Sequence, residues 1–468
     1  MPLKICSNVA IAAYGWDVPA VSCTIDARPT ASISNYLQRI GRVSRAFPSP
    51  PGPREYQTVL LNALREAVRN KLRPLAWMPC GAGKSHVACD MTALATAKGR
   101  SVGFLINRRI LVDDLAQRLA ARGVPASILM AGREDTGHRT KICSIDTIDS
   151  RDITLDVDLL FIDEARIALA PNYLKIIDRH RHIPTVLMDA TPHRQDGQPM
   201  SKLADIIVYG PTHDELIRGG YLVQTRVVAP VMPDLSKCSI NSGEFNEQQT
   251  AVAMKGLTGD MVKEWLYRGQ DRPTIIHCAS VAHSKEVTAR FMAAGVESVH
   301  VDANTPDDER NEVWARLAEG APSKKDALVI DVAGNWFRHG YVEDERVWNL
   351  EKGEAGTGKP CEAALSLRRC PACFAVFRTH IDTCPECGKK KIASTRQIIE
   401  RKAALEEKQR ANKEAKREEF RATATTEQLR AKYAEYAKVG RIKGYKPFWA
   451  QMMYKNLTGH FPSKAITG

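Results

Sequence analysis

The stretch MPCGAGKSHVA, residues 78–88, decides how the rest of the chain is read. Gly81 and Gly83, on either side of Ala82, let backbone N–H groups turn inward around phosphate oxygens. Lys84 reaches for the terminal phosphates and Ser85 offers a hydroxyl to Mg2+. A helix starting here would turn its positive end toward the anion. The first position of the usual G-x-x-x-x-G-K-[ST] pattern is Met78 instead of Gly, so a chance glycine turn is the competing reading. A second feature weighs against chance. LLFIDEAR (159–166) puts Asp163 and Glu164 directly after an apolar run, where Asp163 can hold Mg2+ and Glu164 can polarise an attacking water. Loop and acids together imply a phosphate-binding site that takes Mg2+.

Outward from this loop the chain reads as several α/β domains. Its 468 residues, 44% of them apolar, can fill two or three cores at about 100–200 residues per domain. RAFPSPPGPREYQ (45–57) is a linker, since Pro fixes φ and lacks the backbone donor that helices and strands need. From Pro53 to about Tyr209, apolar runs alternate with amphipathic stretches, and VGFLINR (102–108), DLLFIDEA (158–165) and TVLMDATP (185–192) are strand candidates. This is the pattern of a parallel α/β sheet. A second one starts at PTIIHCAS (273–280), continues through ESVHVDAN (297–304) and resumes at DALVIDVAGN (326–335).

After about Gly353 that pattern stops. CPACFAVFRTHIDTCPEC carries Cys370, Cys373, Cys384 and Cys387, two C-x-x-C pairs whose spacing suits a closed, structural Zn2+ site. Just before it, GEAGTGKP (353–360) nearly spells a second phosphate loop, but Pro360 lacks the hydroxyl and no strand leads in. The net charge of +13 sits almost wholly in the tail, with 20 Lys/Arg against 8 Asp/Glu from Gly388 onward. Such a tail favours polyanions, with a solvated helical face as the competing reading. Residues 394–439 read as a charged helix with too few apolar positions for a heptad seam. In GYKPFWAQMMYKNLTGHFP (444–462), Tyr445, Phe448, Trp449, Tyr454 and Phe461 stand among lysines. They suit either a base-stacking platform or a packed helical cap. No apolar run approaches the roughly 18 residues of a membrane span, and Lys4 and Asp17 interrupt the first apolar stretch, which predicts a cytoplasmic protein.

The loop, the D-E-A-R box, DATPHRQDG (189–197), DELIRGGYLV (214–223), YGWDVP (14–19) and QRIGRVSR (38–45) together resemble superfamily 2 DEAD/DEAH-box helicases of the phage and prophage type with a C-terminal zinc ribbon. The resemblance covers nearly the whole chain. It implies two RecA-like P-loop NTPase domains with parallel sheets and ATP in the cleft between them, followed by a zinc ribbon and a helical basic tail. The implied activity is ATP-dependent helicase or translocase work on nucleic acid, DNA rather than RNA, inside a bacterial host cell, with replication, recombination or restriction proteins as partners. By the same resemblance Gln57 reads the adenine, and Asp189, Ala190 and Thr191 couple hydrolysis to the nucleic acid. Gly15 and Asp17 sense nucleotide and strand, Arg108 and Thr30 lie along the nucleic acid, and Gln38, Arg42 and Arg45 face the phosphates. Arg42 and Arg45, three apart on a predicted helix, share a face and can both point at one γ-phosphate as arginine fingers. Two positions depart from the family. Arg166 stands where His or Asp is common, and Asp189 where Ser or Thr is usual. A nucleic-acid-binding protein whose motor has been disabled is the alternative.

The order of these motifs is also unusual. In the family the YGWDVP and QRIGRVSR motifs lie inside the second domain, but here NEVWARLAEG (311–320) runs straight into APSKKDALVIDVAGN (321–335). The missing piece matches residues 3–47. This predicts a transposed segment of RecA-like domain 2 at 1–47, a linker at 48–56, RecA-like domain 1 at 57–225, the remainder of domain 2 at 226–352, the zinc ribbon at 353–392 and the tail at 393–468. KICSN (4–8) and VSCTIDA (21–27) should then rejoin the second sheet, because strand pairing does not depend on chain order if the connections reach. A linker of roughly six residues spans at most about 20 Å. Rearranged gene, engineered permutant and defective relic all fit these residues.

Overall fold

The computed structural model describes residues 3–9, 19–46, 54–107, 109–133, 135–193, 197–241, 244–254, 258–269, 272–319, 321, 324–351, 360–390, 418, 420–442, 446 and 448–467. YGWDV (14–18) with Gly15 and Asp17, Arg108, Tyr445, the loop-like 353–359 and residues 394–417 of the charged stretch 394–439 therefore lie outside the described residues. The chain divides into two compact units, Met1–Lys390 and Lys391–Gly468.

The strands of the first unit are β1 (Ile5–Asn8), β2 (Cys23–Ala27), β3 (Pro74–Trp77), β4 (Val102–Ile106), β5 (Ala126–Leu129), β6 (Thr140–Ser144), β7 (Leu159–Asp163), β8 (Thr185–Asp189), β9 (Ile206–Tyr209), β10 (Thr225–Val228), β11 (Ile240–Asn241), β12 (Glu244–Phe245), β13 (Thr274–Cys278), β14 (Ser298–Val301), β15 (Ala327–Asp331), β16 (Leu367–Arg369) and β17 (Val376–Arg378). One sheet runs β5-β6-β4-β7-β8-β3-β9 and another β10-β15-β2-β13-β1-β14, and the pairings in both are parallel. Parallel strands need cover on both faces, which is why these runs are apolar throughout. Successive residues alternate between two cores: Ala76, Phe104 and Phe161 face one side of the first sheet, Leu75, Leu105 and Ile162 the other.

Both N-terminal strands lie inside the second sheet. β2 is hydrogen-bonded to β13 on one side and β15 on the other, and β1 sits between β13 and β14. Ile5, Cys23, Ile25 and Ala27 fill one core layer. Leu3, Cys6 and Val21 enter the opposite layer with Tyr36, Leu37, Ile40 and Val43 of helix α1 (Ile33–Val43). Buried Arg39 locks this helix to β2 by an ion pair from Nη1 to Asp26 Oδ1 at 3.0 Å. The far end of the segment is pinned as well. Ala46 N donates to Tyr221 O at 3.2 Å, and the guanidinium of Arg54 lies 4.9 Å above the Tyr221 ring, so both ends of the linker meet at one residue.

Several expected boundaries move. Helix α2 (Glu55–Arg69) takes in the last two residues of the expected linker, because Glu55 suits a helix's positive first turn. Thr225, assigned above to the first domain, opens β10 of the second sheet. Of the residues assigned to the second domain, Trp348 packs on the cores of both sheets and Leu350 on that of the first, with Tyr209 donating its hydroxyl to Trp348 O at 2.9 Å.

In the second unit the helices Thr426–Ile442, Phe448–Thr458 and Lys464–Thr467 form a small bundle, with the first continuing three residues beyond the expected Val439. Tyr454 is fully buried against Tyr433, and Trp449 meets Tyr436 edge-on. Much of the aromatic set is thus a packed cap, while Phe448 and Phe461 stay exposed.

Candidate active site

The phosphate loop connects β3 to helix α3 (Lys84–Thr96) at the C-terminal edge of the first sheet. Gly81 and Gly83 adopt φ of +87° and +88°, a region that a Cβ disfavours, and Gly83 serves as the N-cap of α3. Gln57 of α2 is buried over this turn and donates from Nε2 to Ala82 O at 3.2 Å, while Tyr56 donates its hydroxyl to the same oxygen at 2.9 Å. Lys84 Nζ folds back to donate to Met78 O at 3.0 Å and Pro79 O at 3.3 Å. Ser85 follows in the first turn of α3. Met78 fits where Gly is usual because Gly210 stands opposite: a Cβ at Gly210 would come within 2.4 Å of Met78 Cγ. Gly210 was not singled out in the sequence, since only the pairing of β3 with β9 brings it there.

Asp163 closes β7 beside the loop, and Glu164 follows with a positive φ of 53°. Burial, then the neighbouring Glu164 carboxylate, pushes Asp163 up to about 7, and a bound cation would reverse that. For Glu164 burial also acts upward, but Arg166 and Lys84 outweigh it and hold its carboxyl below the ordinary range. Arg166 donates from Nη1 to both Glu164 Oε2 and Asp189 Oδ1, the latter at 2.8 Å, and its N–H donates to Asp189 Oδ2 at 2.8 Å. Asp189, at the end of β8, also accepts from Thr191 N at 2.8 Å, and Ala190 O accepts from Trp77 Nε1 at 2.9 Å. The two departures from the family thus meet: Arg166 and Asp189 are one buried ion pair.

The N-terminal segment supplies the opposite wall. Gln38 of α1 donates from Nε2 to Glu164 Oε2 at 3.2 Å. Gly41 lets the helix press on the loop, since a Cβ there would lie 2.7 Å from Cys80 Cβ. Arg42 is deep enough that desolvation lowers its pKa, against the pull of Cys80 and Glu164. Arg45 does not share that helix. The helix ends at Val43, Arg45 bridges to Leu222, and its side chain lies over Gly81, so the two arginines reach the loop from different backbone elements. Their expected common face is corrected accordingly. Lys324, unnoticed in the sequence, donates from Nζ to Val43 O at 2.9 Å and Arg45 O at 2.8 Å, clamping the end of α1. Thr30 lies at the head of α1, its N–H donating to Asn335 Oδ1 at 3.0 Å.

Away from the cleft, the four cysteines converge so that their sulfurs all lie within 4.8 Å of one another. Cys370 and Cys387 are 3.7 Å apart and Cys373 and Cys384 3.5 Å. Zn–S bonds of about 2.3 Å in a tetrahedron give S···S edges of about 3.8 Å, so the set fits Zn2+ and is too open for disulfides. β16 and β17 form the ribbon that carries it, and Ala229 N donates to Phe374 O at 2.9 Å beside β10.

Residues 51–194 match the family model of the type III restriction enzyme, res subunit, and residues 2–47 match the helicase conserved C-terminal domain. These matches support a superfamily 2 helicase. The C-terminal-domain match precedes the other along the chain. Among curated proteins, a 51.5 kDa protein of Lactococcus phage (isolate 7-9) is 25% identical over 66% of this chain and 76% of its own. "Putative ATP-dependent helicase IRC3" of Saccharomyces cerevisiae is 24% identical over 62% of this chain. The chain spans 46% of that yeast protein's length. Among solved structures, the ATP-dependent Type ISP restriction-modification enzyme LlaBIII bound to DNA aligns with 13% identity and a TM-score of 0.40, over 62% of this chain and 25% of its own. No described helix is long and apolar enough to cross a membrane.

Proposed function

We propose that this chain is an ATP-dependent translocase or helicase acting on nucleic acid, DNA rather than RNA, whose ATP site is completed by its own N-terminal segment. The observation that carries this reading is Gln38 of α1 reaching Glu164 Oε2 at 3.2 Å while Gly41 lies against Cys80 of the loop. On this reading the loop N–H groups and Lys84 bind the phosphates of ATP, and Ser85 and Asp163 hold Mg2+, which neutralises developing charge when bound. Glu164 takes the proton of the attacking water. Arg42 and Arg45 stabilise charge on the transferring phosphoryl group, and Asp189, Ala190 and Thr191 link that event to the bound strand. Residues 1–47 act as a transposed part of a second RecA-like domain, and the four cysteines hold structural Zn2+. Replication, recombination or restriction proteins remain the proposed partners, and the cytoplasm of a bacterial host the proposed setting.

One observation favours a second reading, a nucleic-acid binder with a disabled motor: Arg166 occupies the same Glu164 oxygen that Gln38 reaches. Steady-state ATP hydrolysis with and without single- and double-stranded DNA separates the two. The proposed function predicts DNA-stimulated turnover that Lys84→Ala and Glu164→Gln each abolish. A flat baseline that neither variant changes would leave only the binder.

A further inference from the structure

The aromatic residues of the second unit fall into two sets. Tyr454 packs edge-on against Tyr433 at 5.8 Å and Trp449 against Tyr436 at 6.4 Å. Gly440 leaves room for the Trp449 ring, since a Cβ there would lie 3.4 Å from Trp449 Cε3. Phe448 and Phe461 stay outside that core. They are 57% and 44% exposed, yet their ring centroids are 6.0 Å apart, with the planes 35° from parallel. Lys455 joins them. It stands two turns after Phe448 on the same face of the helix Phe448–Thr458, and its Nζ lies 4.5 Å from the Phe461 ring centroid.

Phe461 reaches this face on a turn that is itself held in place. Gly459 adopts a φ of +91°, and Thr458 Oγ1 lies 2.9 Å from both Tyr454 O and His460 O. Arg421 covers Gly459 with its guanidinium and donates from Nε to Leu457 O at 2.9 Å. Two exposed rings fixed beside an ammonium group offer π faces and positive charge together. Proteins hold single-stranded nucleic acid with this combination, bases stacking on the rings while cations follow the backbone. The charge of the unit agrees: Lys391–Gly468 carries 18 Lys/Arg against 8 Asp/Glu. Two half-exposed rings also fall far short of the roughly 800 Å2 per partner that a stable protein interface buries.

We infer that Phe448 and Phe461 form a stacking platform for bases of a single nucleic-acid strand, with Lys455 leaving the Phe461 ring to meet a backbone phosphate. This rests on the nucleic-acid reading proposed above and gives the second unit a binding site of its own. Stacking needs only a π face, so the platform reads no sequence. Bases inside a duplex have no free face, so it takes single strands and passes over paired ones. The fixed turn at Gly459 keeps Phe461 in place before the strand arrives, which lowers the ordering cost of binding.

The test uses the full chain and a fluorescein-labelled oligodeoxythymidine, with affinity read by anisotropy across a potassium chloride series and an abasic strand of the same length as control. Phe448→Ala and Phe461→Ala should each bind the oligonucleotide about tenfold more weakly, with an unchanged salt slope and wild-type affinity for the abasic strand. Phe448→Trp should keep the affinity, whereas Phe448→Leu, which retains apolar bulk without a π face, should lose it. Lys455→Met should flatten the plot of log affinity against log salt by about 0.7, one single-strand phosphate contact. Irradiating wild type on a strand carrying 5-iodouracil should crosslink Phe448 or Phe461, as mapped by mass spectrometry. Wild-type affinity in both alanine variants, with no crosslink within 446–467, would overturn the inference. An equal loss on the abasic strand would also overturn it, because the rings would then act on shape or charge and not on bases. So would a dimer that both variants dissociate at unchanged strand affinity, which would make the rings an interface between copies of the chain. If wild type does not bind the oligonucleotide at all, the nucleic-acid reading itself fails and takes this inference with it.

Discussion

Arg166 and Asp189 are each unusual for the resembled family, and together they form one buried ion pair. Asp189 is fully buried, so Arg166→Ala strands a carboxylate and should cost about 3–5 kcal/mol by denaturant unfolding. Replacing both, Arg166→His with Asp189→Ser, should restore most of that loss. Additive losses in the double variant would contradict the pairing. Met78 and Gly210 form a second complementary pair. Gly210→Ala drives a Cβ into Met78 and should destabilise by about 1–3 kcal/mol, with Met78→Ala relieving much of it in the same melts. Equal losses with and without Met78→Ala would refute the pair. Arg166 and Asp189 were both legible as departures from a pattern, whereas of the second pair only Met78 was. Neither pairing was legible, because sequence spacing carries no information about which residue a parallel strand brings alongside.

At the scale of elements, the strands were legible because buried parallel strands are unbroken apolar runs, and the turn at Gly81 and Gly83 because its backbone demand is local. The end of α1 was not, since nothing in RVSR marks where helical hydrogen bonding gives way to the bridge between Arg45 and Leu222. Lys324 clamps that end, and its burial, then Arg45 and Arg272, push its ammonium down to about 7 from an ordinary 10.5. The unfolded chain therefore keeps this proton up to about 10.5 while the folded chain releases it near 7. Between those values the unfolded state binds more protons, so stability rises with pH across that window, and below it the full cost of the buried charge persists. Lys324→Met should flatten the rise in unfolding free energy between pH 7 and 10. A variant curve parallel to wild type would contradict this. The four-cysteine ribbon makes its own prediction: one zinc per chain by metal analysis, lost in Cys373→Ser, with strong chelation opening residues 361–390 to proteolysis. Wild-type metal content in the serine variant would contradict the site.

Over the whole molecule, motif order was legible in the sequence as a matched gap and surplus, but whether the connections could reach was not. Both ends of the linker meet at Tyr221, and β1 and β2 lie within the second sheet instead of at its edge. Removing residues 1–47 should therefore divide that sheet and abolish its cooperative melting, not merely trim a terminus. On the proposed function, this segment completes the ATP site from the front of the chain. The direct measurement is DNA-stimulated ATP hydrolysis by the wild-type chain, by Arg42→Ala, and by a chain re-ordered as 48–320, 1–47, 321–468. Turnover should be comparable in the wild-type and re-ordered chains and fall about 10³-fold or more in Arg42→Ala. Turnover that survives Arg42→Ala, or that only the re-ordered chain shows, would contradict it.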